Sequence, residues 1–377
     1  MFEAASVPHI FAYLYPGIFK QISLYTIAGY SVFLPMVLLG VLVAVVFTII
    51  NYIGAKPYGI AMTIMTFTFA IIGFSTFLLG IGCGVTTPEY MANMGENLWG
   101  ELPPIAGLSL VLALAALFYV GFDMIPQAAE EYKYESRKLA RLIVLSILVG
   151  TAWYLLVTLL DGFLLPREMI PLLDIPTADA VAGVWGVAGK YIIAYVGVFG
   201  ILSTYIGSFY ASIRVLFALA RARLLPEWFA RVHPKYGVPH ITTLFVGILA
   251  IIAPLFGRRA IIWFADACSA YTALLYLLVC VAFISLRRKE PLADRPYKAP
   301  LGIAGAIIGV ITCIAIFISV IVPGMPAALV WSEEYAIFVV FLVLGILFYF
   351  LTPYVKKKVT AEEVAYLILG EYMPKRA

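Results

Sequence analysis

The sequence contains nine apolar stretches that are each long enough to cross a lipid bilayer as a helix. About 20 apolar residues suffice, because a helix rises about 1.5 Å per residue and the hydrocarbon core is about 30 Å thick. Glycine and proline residues separate the stretches. Their bounds are roughly 32–53, 58–82, 105–128, 139–164, 189–221, 240–257, 261–286, 301–323 and 334–354. The sequence therefore predicts an all-α integral membrane protein with about nine full spans.

The composition agrees with this class and excludes others. Charged residues make up 12% of the 377 residues, whereas a typical soluble domain carries about 25%. So few charges cannot cover a water-facing surface, which excludes a soluble enzyme, and the net charge of +4 does not indicate nucleic-acid binding. The four cysteines are scattered, and the three histidines lie in turns or near segment ends. No metal site and no resident cofactor are therefore expected.

The distribution of lysine and arginine predicts the orientation of the chain. With the nine stretches taken as spans, 19 of the 25 lysines and arginines fall on one side and five on the other. Arg214 lies within a span. The five on the lysine-poor side are Lys20, Arg167, Lys190, Arg258 and Arg259. The rule places the side that is rich in lysine and arginine in the cytoplasm of a cell-membrane protein. The C-terminus lies on this side.

The two ends of the chain differ from the spans. Residues 1–16 are apolar but too short to cross, and no basic leader marks them as a signal peptide, so they are interpreted as the outer half of a helix. In the tail 355–377, Thr360 and Glu363 form a capping-box pattern at the start of a short amphipathic segment. The tail is either an interfacial helix or a solvated basic extension.

Asp123 and Asp266 are the acidic residues that lie deepest in the predicted spans, each five residues from the nearer end. A charge in the hydrocarbon is costly and is treated as a functional hypothesis. Gly121 and Pro126 bracket Asp123, so the third stretch is predicted to break over 121–124, with its backbone groups facing a polar cavity. The alternative is a kinked helix whose aspartate bonds to a neighbouring group. Asp266 is interpreted as reaching water at the outer end of its span.

One helix face in the stretch 189–221 carries hydroxyl groups. Thr204, Ser208 and Ser212 stand four residues apart, and Ser203 is adjacent. Hydroxyls suit hard cations and polar substrates, but serine and threonine also permit close helix packing in lipid. The residues alone leave both interpretations open.

Three blocks of sequence follow one another along the chain. G-F-D-M-I-P-Q-A-A-E-E occupies 121–131, R-V-L-F-A-L-A-R-A-R-L-L-P begins at Arg214, and R-P-Y-K-A-P occupies 295–300. In this order they resemble the amino acid–polyamine–organocation (APC) superfamily of transporters, in its broken sixth helix, its eighth helix and the loop after its tenth. The resemblance implies a five-helix inverted-repeat fold that lacks its first two helices. It assigns 1–82 to the first repeat, 105–286 to the second, 301–354 to two extra helices and 355–377 to a cytoplasmic tail.

The resemblance also implies a substrate site where the sixth and eighth helices meet. Its residues are Phe118, Tyr119, Gly121, Phe122, Asp123, Met124 and Ser208. Ser203 and Thr204 resemble the hydroxyl pair that holds sodium in sodium-coupled members. Phe69 stands near the position where some proton-driven relatives carry a lysine. Coupling to Na⁺, to H⁺ or to neither therefore stays open.

Two further roles are predicted for acidic residues. Asp123 either pairs with a substrate ammonium, holds the unwound backbone, or couples proton movement to transport. Glu130 and Glu131 are predicted to pair with basic residues of 214–235 as a cytoplasmic gate, because both groups fall at the inner ends of neighbouring helices.

These observations predict secondary active transport of amino acids or related small amines. The alternatives are an exchanger without ion coupling and a truncated subunit or scaffold that does not transport. An enzyme is not expected, because the spans carry no clustered histidines, cysteines or paired carboxylates. The expected partners are the small-molecule substrate, the lipid bilayer, and separate N-terminal helices or an oligomer partner.

Overall fold

The structure is a computed structural model, and it describes residues 2–84, 104–127, 135–166, 168–293, 295, 297–325, 327–352, 360, 363–364 and 366–367. It is mostly helical. In chain order the elements are α1 (Phe2–Leu14), α2 (Pro16–Phe19), β1 (Ser23–Ile27), β2 (Tyr30–Phe33), α3 (Leu34–Ile53), α4 (Ala55–Gly84), α5 (Pro104–Phe118), α6 (Met124–Gln127), α7 (Ser136–Leu164), α8 (Pro176–Arg221), α9 (His240–Ile252), α10 (Gly257–Lys289), α11 (Gly302–Ile321) and α12 (Glu333–Leu351).

Eight of the described helical segments are long and apolar enough to cross a membrane: α3, α4, α7, α8, α10, α11, α12 and the segment His240–Arg259, which comprises α9, a 3-10 turn at 253–256 and the start of α10. The remaining predicted stretch, 105–128, consists of α5 and α6 with a turn between them. Residues 2–14 form a helix too short to span, in agreement with the sequence-based interpretation. The mostly helical architecture is therefore confirmed.

The prediction of an entirely helical chain is wrong in one place. β1 and β2 form an antiparallel hairpin between α2 and α3, with Ile27 opposite Tyr30. Ala28 and Gly29 make the two-residue turn, with φ of 47° and 82°. Positive φ at both positions gives a twist that matches the flanking strands. Alternating Tyr, Ile and Val residues in 23–33 favour strands over a helix.

The hydroxyl-bearing span predicted at 189–221 is preceded by a helical stretch that the sequence did not predict. α8 begins at Pro176 and not near 189. Proline at the first helical position and Asp179 in the first turn are ordinary helix-start signals. Thr177 donates a hydrogen bond to Oδ2 of Asp161 at 2.9 Å, which ties this start to α7. Gly186, with a φ of 66° and a ψ of −156°, is not helical, so α8 consists of two helices that meet at a kink, and the second of them begins near the predicted residue 189.

The chain divides into two compact units. The first comprises 1–69, 197–261 and 336–377. Its buried core joins α1, α3, α9 and the second part of α8 through Ala4, Phe47, Tyr205 and Ala250. The second comprises 70–196 and 262–335.

In the second unit, the Trp153 ring packs edge-on against Phe77, with ring centroids 4.7 Å apart. Gly73 lets the same indole approach the α4 backbone, since a Cβ there would lie 2.3 Å from it. α5 packs on α11 in this unit. The inverted repeat and its predicted bounds stay predictions.

The tail is described only in part. The Thr360 hydroxyl accepts the Glu363 N–H at 3.2 Å, which is the first half of the predicted capping box. The rest of 355–377 lies largely outside the described residues.

Candidate functional site

The predicted helix break is confirmed. α5 ends at Phe118, the residues 119–123 form turns, and α6 begins at Met124. Gly121 has a φ of 137°, which an L side chain rarely adopts. The turn closes through the Met124 N–H, which donates to the Gly121 carbonyl at 3.1 Å. The break therefore begins at residue 119, two residues before the predicted range of 121–124.

Asp123 accepts hydrogen bonds from the unwound backbone and from helix α6. The Gly121 N–H donates to Oδ1 of Asp123 at 2.9 Å, and Nε2 of Gln127 donates to Oδ2 at 3.0 Å. The carboxylate thus connects the unwound backbone to the last residue of α6. Each oxygen keeps a further lone pair, since a carboxylate offers about four acceptor sites. This arrangement agrees with a role in holding the backbone and leaves capacity for a ligand.

Helix α7 supports the end of α5. The Tyr154 hydroxyl donates to the Phe118 carbonyl at 2.6 Å. The Tyr119 and Thr151 hydroxyls share a hydrogen bond at 2.9 Å. The Tyr154 ring lies 5.6 Å from the Phe118 ring. Sequence reasoning missed Tyr154 and Thr151; the signal for them is two hydroxyl-bearing residues one helical turn apart in an otherwise apolar span.

Tyr276 of α10 is a second residue that sequence reasoning missed. Its ring lies 5.4 Å from the Phe122 ring, and its hydroxyl is close enough to Asp123 for the two groups to interact electrostatically. That hydroxyl is buried and has no hydrogen-bond partner in the described part of the chain. A contact across 153 positions depends on how the helices pack, so the sequence alone could not supply it.

The hydroxyl-bearing face lies in the first unit. Ser203 and Thr204 both donate to the Gly200 carbonyl, at 2.8 and 3.1 Å. Ser212 donates to the Ser208 carbonyl at 2.7 Å. These bonds within α8 satisfy the hydroxyl hydrogens and leave their oxygens able to accept or to coordinate. The arrangement is compatible with the packing and with the ion-site interpretation.

Ser208 differs, because an acidic residue faces it. Its hydroxyl lies 3.4 Å from Oε1 of Glu3 in α1 and 3.1 Å from the Tyr205 carbonyl. The Tyr205 side chain is 2% exposed, packs on Phe47, and also interacts with Glu3. Ser208, Glu3 and Tyr205 therefore form a polar cluster within an apolar core. The prediction that Ser208 shares a cavity with Phe118 or Tyr119 stays a prediction.

Two intramembrane charges have partners that the sequence did not indicate. Asp266 is half-buried and stays predicted to reach water, and its carboxyl group also interacts electrostatically with that of Glu334, which is 1% exposed. Nη2 of Arg214 donates to the Tyr210 hydroxyl at 3.1 Å, and its guanidinium lies 4.5 Å above the same ring. Tyr210 stacks on Tyr58 at 4.1 Å. This contact gives Arg214 a packing role.

Glu130 and Glu131 lie outside the described residues, so the predicted cytoplasmic gate stays a prediction. Within the basic segment, Arg223 pairs with Glu227 at 2.8 Å.

In the part of the chain that the structure describes, no three His, Cys, Asp or Glu side chains converge in a way that would hold a metal ion.

The sequence was compared with known families and proteins. The model of a family described as "Amino acid permease" matches residues 5–348. The chain belongs to this family. The resemblance to the APC superfamily is thereby confirmed, as is the expectation that the chain is not an enzyme, because the family and its named relatives are permeases or transporters.

Three relatives illustrate the similarity. The chain is 28% identical over 273 residues to the methylthioribose transporter of Bacillus subtilis (strain 168), covering 72% of the chain and 55% of that protein. It is 31% identical over 207 residues to the branched-chain amino acid permease BcaP of the same organism, covering 54% and 43%. It is 28% identical over 220 residues to the chloroplastic cationic amino acid transporter 7 of Arabidopsis thaliana, covering 57% and 37%. The chain spans about half the length of these relatives or less. It is a multi-pass membrane protein of a transporter family.

Proposed function

We propose that the full-length protein is a secondary transporter that carries amino acids or related small amines across the cell membrane, with its C-terminus in the cytoplasm. The observation that supports this most is the interrupted helix α5–α6 in a member of the amino acid permease family. Broken spans give secondary transporters backbone groups that bind a polar substrate inside the membrane.

The proposed substrate site comprises the residues predicted from the sequence together with Tyr276. Around the break, Phe122 and Tyr276 supply aromatic surface, and Asp123 supplies negative charge for an ammonium group. Ser208, whose hydroxyl lies 3.4 Å from Oε1 of Glu3, is the polar residue predicted from the eighth helix. Helices beyond the given residues, or a partner chain, are proposed to complete the site.

The central experiment is uptake by the purified full-length protein in proteoliposomes. Asp123→Asn keeps both hydrogen bonds, because Asn offers an acceptor to the Gly121 N–H and the Gln127 amide can turn to accept the Asn amino group. It therefore removes only the charge. We expect uptake to fall at least tenfold, which corresponds to about 1.4 kcal/mol of transition-state stabilisation.

A companion variant separates the possible roles of the aspartate. Asp123→Ala removes the charge and the connection to the backbone. Loss in Asp123→Ala with normal uptake in Asp123→Asn would assign Asp123 to holding the break and not to the substrate. Normal uptake in both variants would refute the proposed site. The panel includes branched-chain and cationic amino acids and methylthioribose, because the relatives carry those names.

Coupling is tested by varying the sodium gradient and the pH gradient separately. If Ser203 and Thr204 hold sodium, Ser203→Ala should weaken the sodium dependence, whereas Ser212→Ala should not. Ser212 is a suited control, because its hydroxyl also bonds within α8. Uptake that needs only internal substrate would identify an exchanger, and no uptake under any gradient would favour the subunit or scaffold alternative.

A further inference from the structure

The β1–β2 hairpin lies beside the ends of two candidate membrane spans. β2 ends at Phe33, and the span α3 begins at the next residue. The Leu34 N–H donates to the Ile22 carbonyl at 2.8 Å, which brings the start of the hairpin to the same point. The span that begins at His240 ends at Arg259. A hairpin joined directly to the end of a membrane span is expected in the headgroup layer, just outside the hydrocarbon core that the span crosses.

Close contacts join the hairpin to the turn between α9 and α10. The Tyr25 hydroxyl donates to the Leu255 carbonyl. A Cβ on Gly257 would lie 2.7 Å from a methyl group of Val32, so only glycine permits this approach. The hairpin and the turn thus form one surface.

This surface carries positive charge. The guanidinium groups of Arg258 and Arg259 lie 5.8 and 5.7 Å from the centre of the Tyr30 ring, and Lys20 stands three residues before β1. We call Lys20, Tyr25, Tyr30, Arg258 and Arg259 the hairpin patch. It holds three of the five basic residues on the lysine-poor side. The sequence has no Asp or Glu from 4 to 88 or from 228 to 265, the segments that build the patch.

Apolar and aromatic side chains surround these charges. Ile18 is 61% exposed, Ile22 52% and Leu24 46%, and both patch tyrosines are about 40% exposed. Exposed aliphatic side chains beside tyrosines are typical of the membrane interface, where the rings sit at headgroup level. A free anion in water would gain nothing from these neighbours.

We propose that the hairpin patch binds the phosphodiester group of an anionic phospholipid, with the aliphatic side chains of the hairpin in the upper acyl layer. The forked guanidinium groups of Arg258 and Arg259 suit two phosphate oxygens. The Ser31 hydroxyl and the His9 imidazole line a cleft that also contains Arg258, and they add polar groups beside the phosphate. The patch is distinct from the residues proposed to bind the transported substrate.

The test counts the lipids that stay bound to the purified full-length protein by native mass spectrometry. The protein is reconstituted with phosphatidylcholine alone or with added phosphatidylglycerol and then extracted into detergent. We expect tightly bound phosphatidylglycerol in the wild type and roughly a tenfold or greater loss of its occupancy in the double variant Arg258→Gln/Arg259→Gln, since each basic residue contributes to attraction for anionic lipid. The double variant Arg258→Lys/Arg259→Lys should retain part of it.

The control is Arg287→Gln/Arg288→Gln, which makes the same charge change in the last turn of the same helix. An equal loss in both glutamine variants would show general charge attraction and overturn the proposal. Protection of the wild type against heat by inorganic phosphate, without a preference for phosphatidylglycerol, would indicate a free-anion site and also overturn it. Tyr30→Ala, which leaves all charges in place, should lower the occupancy, and an unchanged occupancy would contradict the geometry.

Discussion

Replacing Gly40 by alanine tests the packing that positions α1. A Cβ on Gly40 would lie 2.6 and 2.7 Å from two ring carbons of Pro254 and 2.9 Å from the Ala4 carbonyl oxygen. Carbon atoms prefer about 3.5–4.0 Å. Neither a proline ring nor a backbone oxygen can rotate away, so α3 and α1 must separate. Because Glu3 precedes Ala4, the separation would also disturb the contact between Glu3 and Ser208.

The magnitude follows from two opposing terms. Overpacking a tight contact costs about 1–3 kcal/mol. Alanine is better than glycine inside a helix by about 0.5–1 kcal/mol. Gly40→Ala should therefore range from nearly neutral to about 2.5 kcal/mol destabilising. Gly150→Ala in α7 is the matched control, because nothing lies within 4 Å of its Cβ position and only the helix term remains.

Thermal unfolding of the two detergent-purified variants, followed by tryptophan fluorescence or by loss of the monodisperse peak, measures the difference. We expect Gly150→Ala to melt above the wild type and Gly40→Ala to melt below Gly150→Ala by an amount that corresponds to about 1–3 kcal/mol. Equal melting temperatures would refute the close packing of α1, α3 and Pro254.

Two side-chain hydroxyls that donate to backbone carbonyls provide further predictions. Tyr154→Phe removes the donor to the Phe118 carbonyl at the end of α5. We expect this variant to lower the free energy of unfolding by about 0.5–1.5 kcal/mol and to slow uptake. Unchanged uptake would show that this hydrogen bond does not support the break. Thr242→Val leaves the Phe229 carbonyl without its 2.7 Å donor in a fully buried site, so stability should fall by about 1–3 kcal/mol, and Thr242→Ser should restore most of it in the same melting assay.

The sequence by itself determined the features that depend on neighbouring residues. The bounds of most spans follow from the length of the apolar stretches, because the bilayer sets that length. The break near Gly121 and Asp123 follows from residues that disfavour a continuous helix within a few positions. The motifs around these positions were enough to indicate the family.

Other local features were present in the sequence but misinterpreted. The predicted elements leave residues 17–31 unassigned, although the alternating residues of the hairpin favour strands. The helical stretch before Gly186 in α8 was not predicted, although Pro176 and Asp179 are ordinary helix-start residues. In both cases hydropathy outweighed turn and cap chemistry.

Only the tertiary structure decided which distant residues meet. Ser208 faces Glu3 across 205 positions, Tyr276 reaches Asp123, and Asp266 pairs with a buried Glu334. Such contacts depend on the rotation of each helix about its axis and on the distance between helix axes. Both are set by close packing, as where Gly40 admits Pro254, and packing is a property of many side chains together. The chain therefore carries its spans and its helix break in local sequence, whereas the partners of its intramembrane charges arise only when the helices pack.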